Sequence, residues 1–203
     1  MPKVLKLEIN IREKEVLRYL KYDLDRTKAN DAIFRLVREQ IKTGITLIDP
    51  RLEYKILPIL DNNGEKVKLP TLMIANRNIA RLLKPAEKVV FFSTTIGPDL
   101  ELKIDQLFSA GEPTKAVILD AVGSEAIEVL TDAVQVTVTQ KAGSYQFTPR
   151  FSPGYGDWPL KMNKAILKLL AAKTLGIAIS SKYMLSPQKS VTGIWGLIKN
   201  EKS

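Results

Sequence analysis

Arg150-Phe151-Ser152-Pro153-Gly154-Tyr155-Gly156-Asp157-Trp158-Pro159 is the stretch on which the reading of this chain turns. Pro153 and Pro159 lack an amide donor, and Gly154 and Gly156 reach backbone angles closed to other residues, so no regular element runs through it. It therefore separates a strand-like run from a helix-like run and leaves amides and carbonyls facing something other than a ladder. Arg150 beside them presents a planar fork suited to a carboxylate or phosphate. That is the profile of a ligand loop. A plain connecting turn draws on the same residue types, so the loop alone leaves both readings open.

Downstream, Asp157 is expected to cap a helix that begins near Pro159, carries Met162, Ile166 and Leu169/Leu170 inward and ends at Gly176. Two strands, 177–185 and 191–198, flank Ser186-Pro187-Gln188-Lys189. Upstream lie a short extended piece over 145–149, a polar and ill-defined stretch over 137–144, and a long helix over 114–134. Gly123 inside that helix costs about 1 kcal/mol against alanine, which points to close packing or a nearby ligand.

The apolar run 89–95 reads as a buried strand. It turns at Gly97 into a helix capped by Asp99, with Leu100, Ile104 and Leu107/Phe108 on one side. Residues 71–83 read as helix. Residues 55–60 and 66–69 form a hairpin around Asp61-Asn62-Asn63-Gly64, with Pro58 marking an edge strand. Helices over 13–21 and from Asn30 or Asp31 to Gly44 follow a strand in which Leu5, Leu7, Ile9 and Ile11 alternate with polar residues. Strands alternating with pairs of helices, plus hairpins, give an α+β class with a mostly antiparallel sheet.

Composition narrows the chemistry. A chain of 203 residues fits a single domain, 1–203, and 45% hydrophobic with 26% charged residues is ordinary for a globular protein. No apolar run is long enough to cross a bilayer, and the amino terminus lacks a signal-peptide core, so the expectation is a cytoplasmic protein. There is no cysteine and no histidine. Disulfides, zinc fingers, cysteine nucleophiles and histidine triads are thereby excluded. Hard cations remain, but no Asp/Glu cluster at loop spacing would hold one.

The net charge of +9 is lopsided: residues 136–203 carry 10 Lys/Arg against Asp157 and Glu201, a net +8. Such a patch steers anionic partners, whether nucleic acid, acidic protein or anionic ligand. A solvated basic face with no partner is the plain alternative.

Gly154-Tyr155-Gly156 is not a dinucleotide fingerprint, and neither a phosphate-loop lysine motif nor a Gly-x-Ser-x-Gly elbow occurs. Glu128 and Asp132 lie four apart on one face of the long helix, with Glu125 nearby. Helix carboxylates are ordinarily just solvated. If this face meets the loop, Glu128 pairs with a ligand amine while Arg150 takes its carboxylate, each charged hydrogen bond being worth about 1.5–3 kcal/mol. That pairing recognises a free amino-acid group.

These residues resemble a known family. Arg150-x-Ser152-Pro153-Gly154-Tyr155-Gly156 is similar to the Arg-x-x-Pro-Gly-Tyr motif of the S-adenosylmethionine-binding reactivation domain of cobalamin-dependent methionine synthase. Thr95-Ile96-Gly97, followed by Ile118-Leu119-Asp120-Ala121-Val122-Gly123-Ser124-x-x-x-Glu128, looks like that family's strand, turn and long helix. Met184-Leu185-Ser186-Pro187-x-x-Ser190-Val191-Thr192-Gly193 resembles its carboxy-terminal hairpin. The resemblance spans residues 70–198 and leaves 1–69 as a divergent portion.

The resemblance implies a curved sheet and a specific activity. Cobalt that oxidises out of the catalytic cycle is rescued by one electron from a reduced flavoprotein and a methyl group from S-adenosylmethionine. Carried over by motif, Arg150 meets the ligand's carboxylate, the backbone of Ser152 and Gly154 lines the site, Tyr155 lies against the ligand, and Glu128 approaches its amino group. After Gly193 the family's aromatic and His-Pro segment is replaced by Ile194-Trp195-Gly196-Leu197. Without histidine, this chain supplies no imidazole to cobalt, so cobalamin belongs on a separate polypeptide. The expectation is a stand-alone subunit acting in trans on a methionine synthase without its own reactivation domain, its basic third docking a flavodoxin-like donor. Two other readings are an S-adenosylmethionine sensor without methyl transfer and a single-stranded nucleic-acid module stacking bases on Phe151, Tyr155 and Trp158. The latter explains the charge but neither the helix carboxylate nor the hairpin motif.

Overall fold

Every side chain from Val89 to Thr95 is buried, as expected of a strand covered on both faces. In the computed structural model, which describes residues 9–22, 31–143 and 145–200, this strand is the inner member of a four-stranded sheet. β5 (Lys88–Thr95) lies between β1 (Arg51–Pro58) and β9 (Ser190–Lys199), and β6 (Tyr145–Phe147) completes the order β1-β5-β9-β6, every pair antiparallel. The class is α+β.

Alternation along β5 sends side chains to two different layers. Val90 and Phe92 join Trp195, Val134 and Val138 beneath the long helix α5 (Pro113–Ala142). Phe92 stacks on Trp195 with ring centroids 4.0 Å apart, a contact worth about 0.5–1.5 kcal/mol beyond area burial. Val89 and Phe91 pack on the other side against α3 (Arg77–Leu82) and α6 (Met162–Leu169). A second core gathers α1 (Glu13–Tyr19), α2 (Asp31–Leu47) and α4 (Asp99–Ser109) around the first half of α5.

Several local expectations change in tertiary context. Residues 5–8 and Asn30 fall outside the described residues, and 9–11 are not in a strand. Gly44 does not end α2. It is a helix-crossing point, where an added Cβ would lie 2.6 Å from Val122 Cγ1 of α5. Residues 55–58 pair across the sheet, where β1 finds eight register partners on β5, and Leu60 keeps the expected hairpin bond, its N–H donating to Lys68 O at 2.9 Å. Pro58 ends this edge strand, where no ladder donor is required. Of the expected turn residues, Asp61 and Asn62 form β2 (Asp61–Asn62), and 63–65 turn the chain into β3 (Lys66–Lys68), which with β4 (Met73–Ala75) makes a separate small sheet.

Residues 71–83 divide between β4 and α3, because the Asn76 side chain accepts from Ile79 N at 2.9 Å and starts the helix there. Asp99 is the first residue of α4, and Pro98 stands at its cap position. The stretch 137–142 is helical: buried Val138 follows Val134 onto the sheet, and α5 continues until Gly143 at φ +87°. Asp157 does not cap α6, which starts at Met162; its carboxylate accepts from Asn78 Nδ2 at 2.8 Å. Nor is 177–185 a strand. Only β7 (Ala178–Ile179) pairs with β8 (Leu185–Ser186), since a turn closes through Ser180 N to Met184 O and carries Tyr183 at φ +62°.

Candidate functional site

The loop 150–159 is anchored by the sheet and opens toward α5. Phe151 exchanges backbone bonds with Ile194 of β9, at 3.1 and 2.9 Å, which extends the sheet by one bridge. Gly193 makes this approach possible, because a Cβ there would lie 2.8 Å from Ser152 Oγ and 2.9 Å from Phe151 O. The chain then turns back on itself. Gly154 at φ +97° donates to Trp158 O at 2.7 Å, and Trp158 N donates to Tyr155 O at 3.1 Å. Trp158 is 2% exposed and plugs the loop into the core on the α6 side.

Arg150, held at the edge of this bridge, reaches Glu128 on α5. Nη1 and Nη2 donate to the two carboxylate oxygens at 2.9 and 3.0 Å, a parallel fork with both side chains about one-third exposed. Burial opposes the Arg150 charge, but the hydrogen bonds and charge of Glu128 outweigh it and hold the guanidinium above its ordinary pKa. Asp132, one turn further along α5, is pushed up first by burial and then by the charge of Glu128. Tyr19 of α1 is raised by burial and, after it, by Glu128. The acidic face of α5 thus concentrates negative potential at Glu128, and Arg150 answers it.

A cavity of about 580 Å³ lies against this pair, within the range of small-molecule sites. Glu128, Arg150, Ser152 and Tyr155 line it together with Met184, Gln188 and Thr192, from the segment that runs through β8 into β9. A second cavity of about 570 Å³, bordered by Asp132, Gln135 and Thr148, also touches Glu128 and Arg150, so the pair stands between the two. Ser152 Oγ is buried at the first cavity and has no hydrogen-bond partner among the described residues.

Of the residues singled out from sequence, Arg150, Glu128, Ser152 and Tyr155 come together here. Gly154 does not line the cavity. It holds the turn, with a Cβ position 2.9 Å from Leu160 Cδ2. Phe151, Tyr155 and Trp158 do not form a stacking row: Trp158 is buried against Phe151, ring centroids 6.0 Å apart, and only Tyr155 is open, at 67% exposure. Asn163 was missed. Its carboxamide donates to Tyr183 O at 2.9 Å and accepts from Thr192 Oγ1 at 2.7 Å, joining α6 to the β7–β8 turn and to β9. A polar residue at a core-facing position of an amphipathic helix is the signal that would have found it. No helix among the described residues is long and apolar enough to cross a membrane.

No protein-family profile matches the chain. No curated protein matches it in sequence. Among solved structures, the crystal structure of the MetH reactivation domain bound to AdoHcy matches with a TM-score of 0.70, covering 100% of this chain and 82% of its own, at 13% identity. A likeness at that identity is one of backbone architecture, reached through different side chains. The chain has the fold of the MetH reactivation domain.

Proposed function

We propose that the cavity beside Arg150 and Glu128 binds S-adenosylmethionine, and that the chain is a single-domain reactivation subunit serving a cobalamin-dependent methionine synthase in trans. The observation that carries this is the forked Arg150–Glu128 pair at the edge of a small-molecule cavity, on a fold whose solved counterpart holds AdoHcy. An α-amino acid group offers the same two charges as that pair, so Arg150 can exchange Glu128 for the ligand carboxylate while Glu128 takes its ammonium. Each new bond replaces one of equal kind, which keeps the desolvation cost low. The Ser152 Oγ, without a hydrogen-bond partner among the described residues, offers a further polar contact, and Tyr155 covers the ligand.

On this reading the residues around the cavity bind and orient the ligand. Cobalamin, carried by the partner, supplies the methyl acceptor. Over the whole exchange, one electron enters from a reduced donor, the methyl group leaves the sulfonium, and S-adenosylhomocysteine remains. The chain's part is to hold the sulfonium methyl in line with its acceptor. Exposed Lys161, Lys164, Lys168, Lys173 and Lys182 give α6 and the β7–β8 turn a positive field, suited to an acidic flavodoxin-like donor in the cytoplasm.

Titration calorimetry with S-adenosylmethionine tests the binding step, and absence of heat with the wild-type chain overturns it. Mixing the loaded chain with cob(II)alamin-bearing methionine synthase that lacks a reactivation domain, under reducing conditions, tests the activity. Methylcobalamin forms on this reading. Binding without methylcobalamin would instead identify a sensor.

A further inference from the structure

Lys189 is a polar side chain that joins the 184–192 wall of the cavity to the helix bearing Glu128. Lys189 sits between Gln188 and Ser190, both of which line the cavity, but its own side chain runs the opposite way and is 15% exposed. Its Nζ lies 2.8 Å from Asp120 Oδ1 and donates to Ser124 Oγ at 2.9 Å, both on α5. Its backbone N–H donates to Glu101 Oε1 of α4 at 2.8 Å, and its carbonyl accepts from Ile96 N at 3.2 Å. The aliphatic stem crosses Gly123, where a Cβ would lie 3.2 Å from Lys189 Cε and 2.9 Å from Leu100 Cδ2. The glycine interruption of α5 is therefore the groove that admits this lysine.

Ser124 and Glu128 are four residues apart, on one face of α5. Lys189 thus ties the 184–192 wall to the same helix face that carries the carboxylate of the candidate site. On the other flank the wall is tied to α6 by Asn163. We infer that Lys189 is a positioning residue: without touching the ligand, it sets the width of the cavity by fixing the 184–192 wall against α5. This rests on the cavity being the S-adenosylmethionine site. Its effect is on the fraction of molecules with the wall in place, and apparent affinity falls in proportion to that fraction.

The test pairs two readouts on Lys189→Met, which keeps most of the stem and removes the charge, and on Lys189→Arg. Amide hydrogen exchange followed by mass spectrometry is expected to speed up in 184–192 of Lys189→Met, with β5 and the rest of α5 as in the wild type. Calorimetry is expected to show about tenfold weaker S-adenosylmethionine binding, corresponding to a wall in place one-tenth of the time. Lys189→Arg recovers most of both. If exchange in 184–192 is unchanged, or if the wild type binds and Lys189→Met binds equally well, the inference is overturned. If the wild type does not bind at all, the ligand assignment fails while the exchange pattern still decides the tether. A uniform rise in exchange marks general destabilisation and also overturns it.

Discussion

Two glutamates within one turn of α5 are each paired with an arginine, and the pairs differ in everything but chemistry. Glu125 is 1% exposed and accepts a single bond from Arg12 Nε at 2.7 Å, while Arg12 itself is 55% exposed. Glu128 and Arg150 are about equally half-buried, share two bonds and border two cavities. The first is a closed arrangement, in which the carboxylate has no route to another partner. The second is open on both sides, so either half can change partner without crossing an apolar barrier. Ion pairing alone therefore does not mark a binding site; access to the pair does.

The sharpest way to break this contrast is Arg150→Ala. Loss of two charge-assisted bonds to the ligand should weaken S-adenosylmethionine binding about 100-fold or more by calorimetry, with a small change in the urea midpoint. An equal affinity would place the ligand elsewhere. Arg12→Ala should do the reverse. It leaves the Glu125 carboxylate buried and alone, so the thermal midpoint should drop by several degrees while affinity stays within about twofold.

Ser152→Ala sharpens the contrast by giving opposite signs in one variant. Removing a buried hydroxyl that has no partner among the described residues should leave the free chain equally or slightly more stable, while weakening ligand binding about tenfold if the hydroxyl bonds the ligand. Loss of stability with unchanged affinity would assign Ser152 to packing alone.

The smallest effect is electrostatic. Burial and then the charge of Glu128 raise the Asp132 pKa in the fold. A carboxyl with a raised folded value contributes stability that is complete below its ordinary pKa and is lost as pH rises through the raised one. Ionised Asp132 is therefore a liability at neutral pH. Asp132→Asn should raise the urea midpoint slightly at pH 7, and the gain should shrink as pH falls into the carboxylate range. The gain is modest because Asp132 keeps an exposed surface.

Much of the candidate site was legible in the residues. The glycine–proline loop, its arginine and the carboxylates of α5 stand out because their chemistry is rare at such spacing. The structure brings Arg150 and Glu128, 22 residues apart, to within hydrogen-bond distance. The Arg12–Glu125 pair was not legible, because 113 residues separate its members and neither has a motif around it. Trp158 looked like a surface aromatic in a ligand loop, yet its burial depends on where α6 happens to pass. Gly154 looked like lining but serves as the hinge of a turn.

Local chemistry sufficed for β5, β9 and α5 as far as Val134, but not for the last two turns of α5, and it sufficed for the mostly antiparallel character of the sheet. It could not place β1, because a short half-buried strand takes whichever edge offers the longer ladder, and that edge is 30 or more residues away. It could not tell that Gly44 is a crossing point, because a glycine reads as a helix stop until the neighbour that needs its missing Cβ is known; Gly123 did signal close packing, but not that Leu100 and Lys189 supply it. The loop at 150–159 belongs to both cases. Its irregularity is written in two prolines and two glycines, while its opening toward Glu128 is decided by Phe151 bridging to Ile194 across β9.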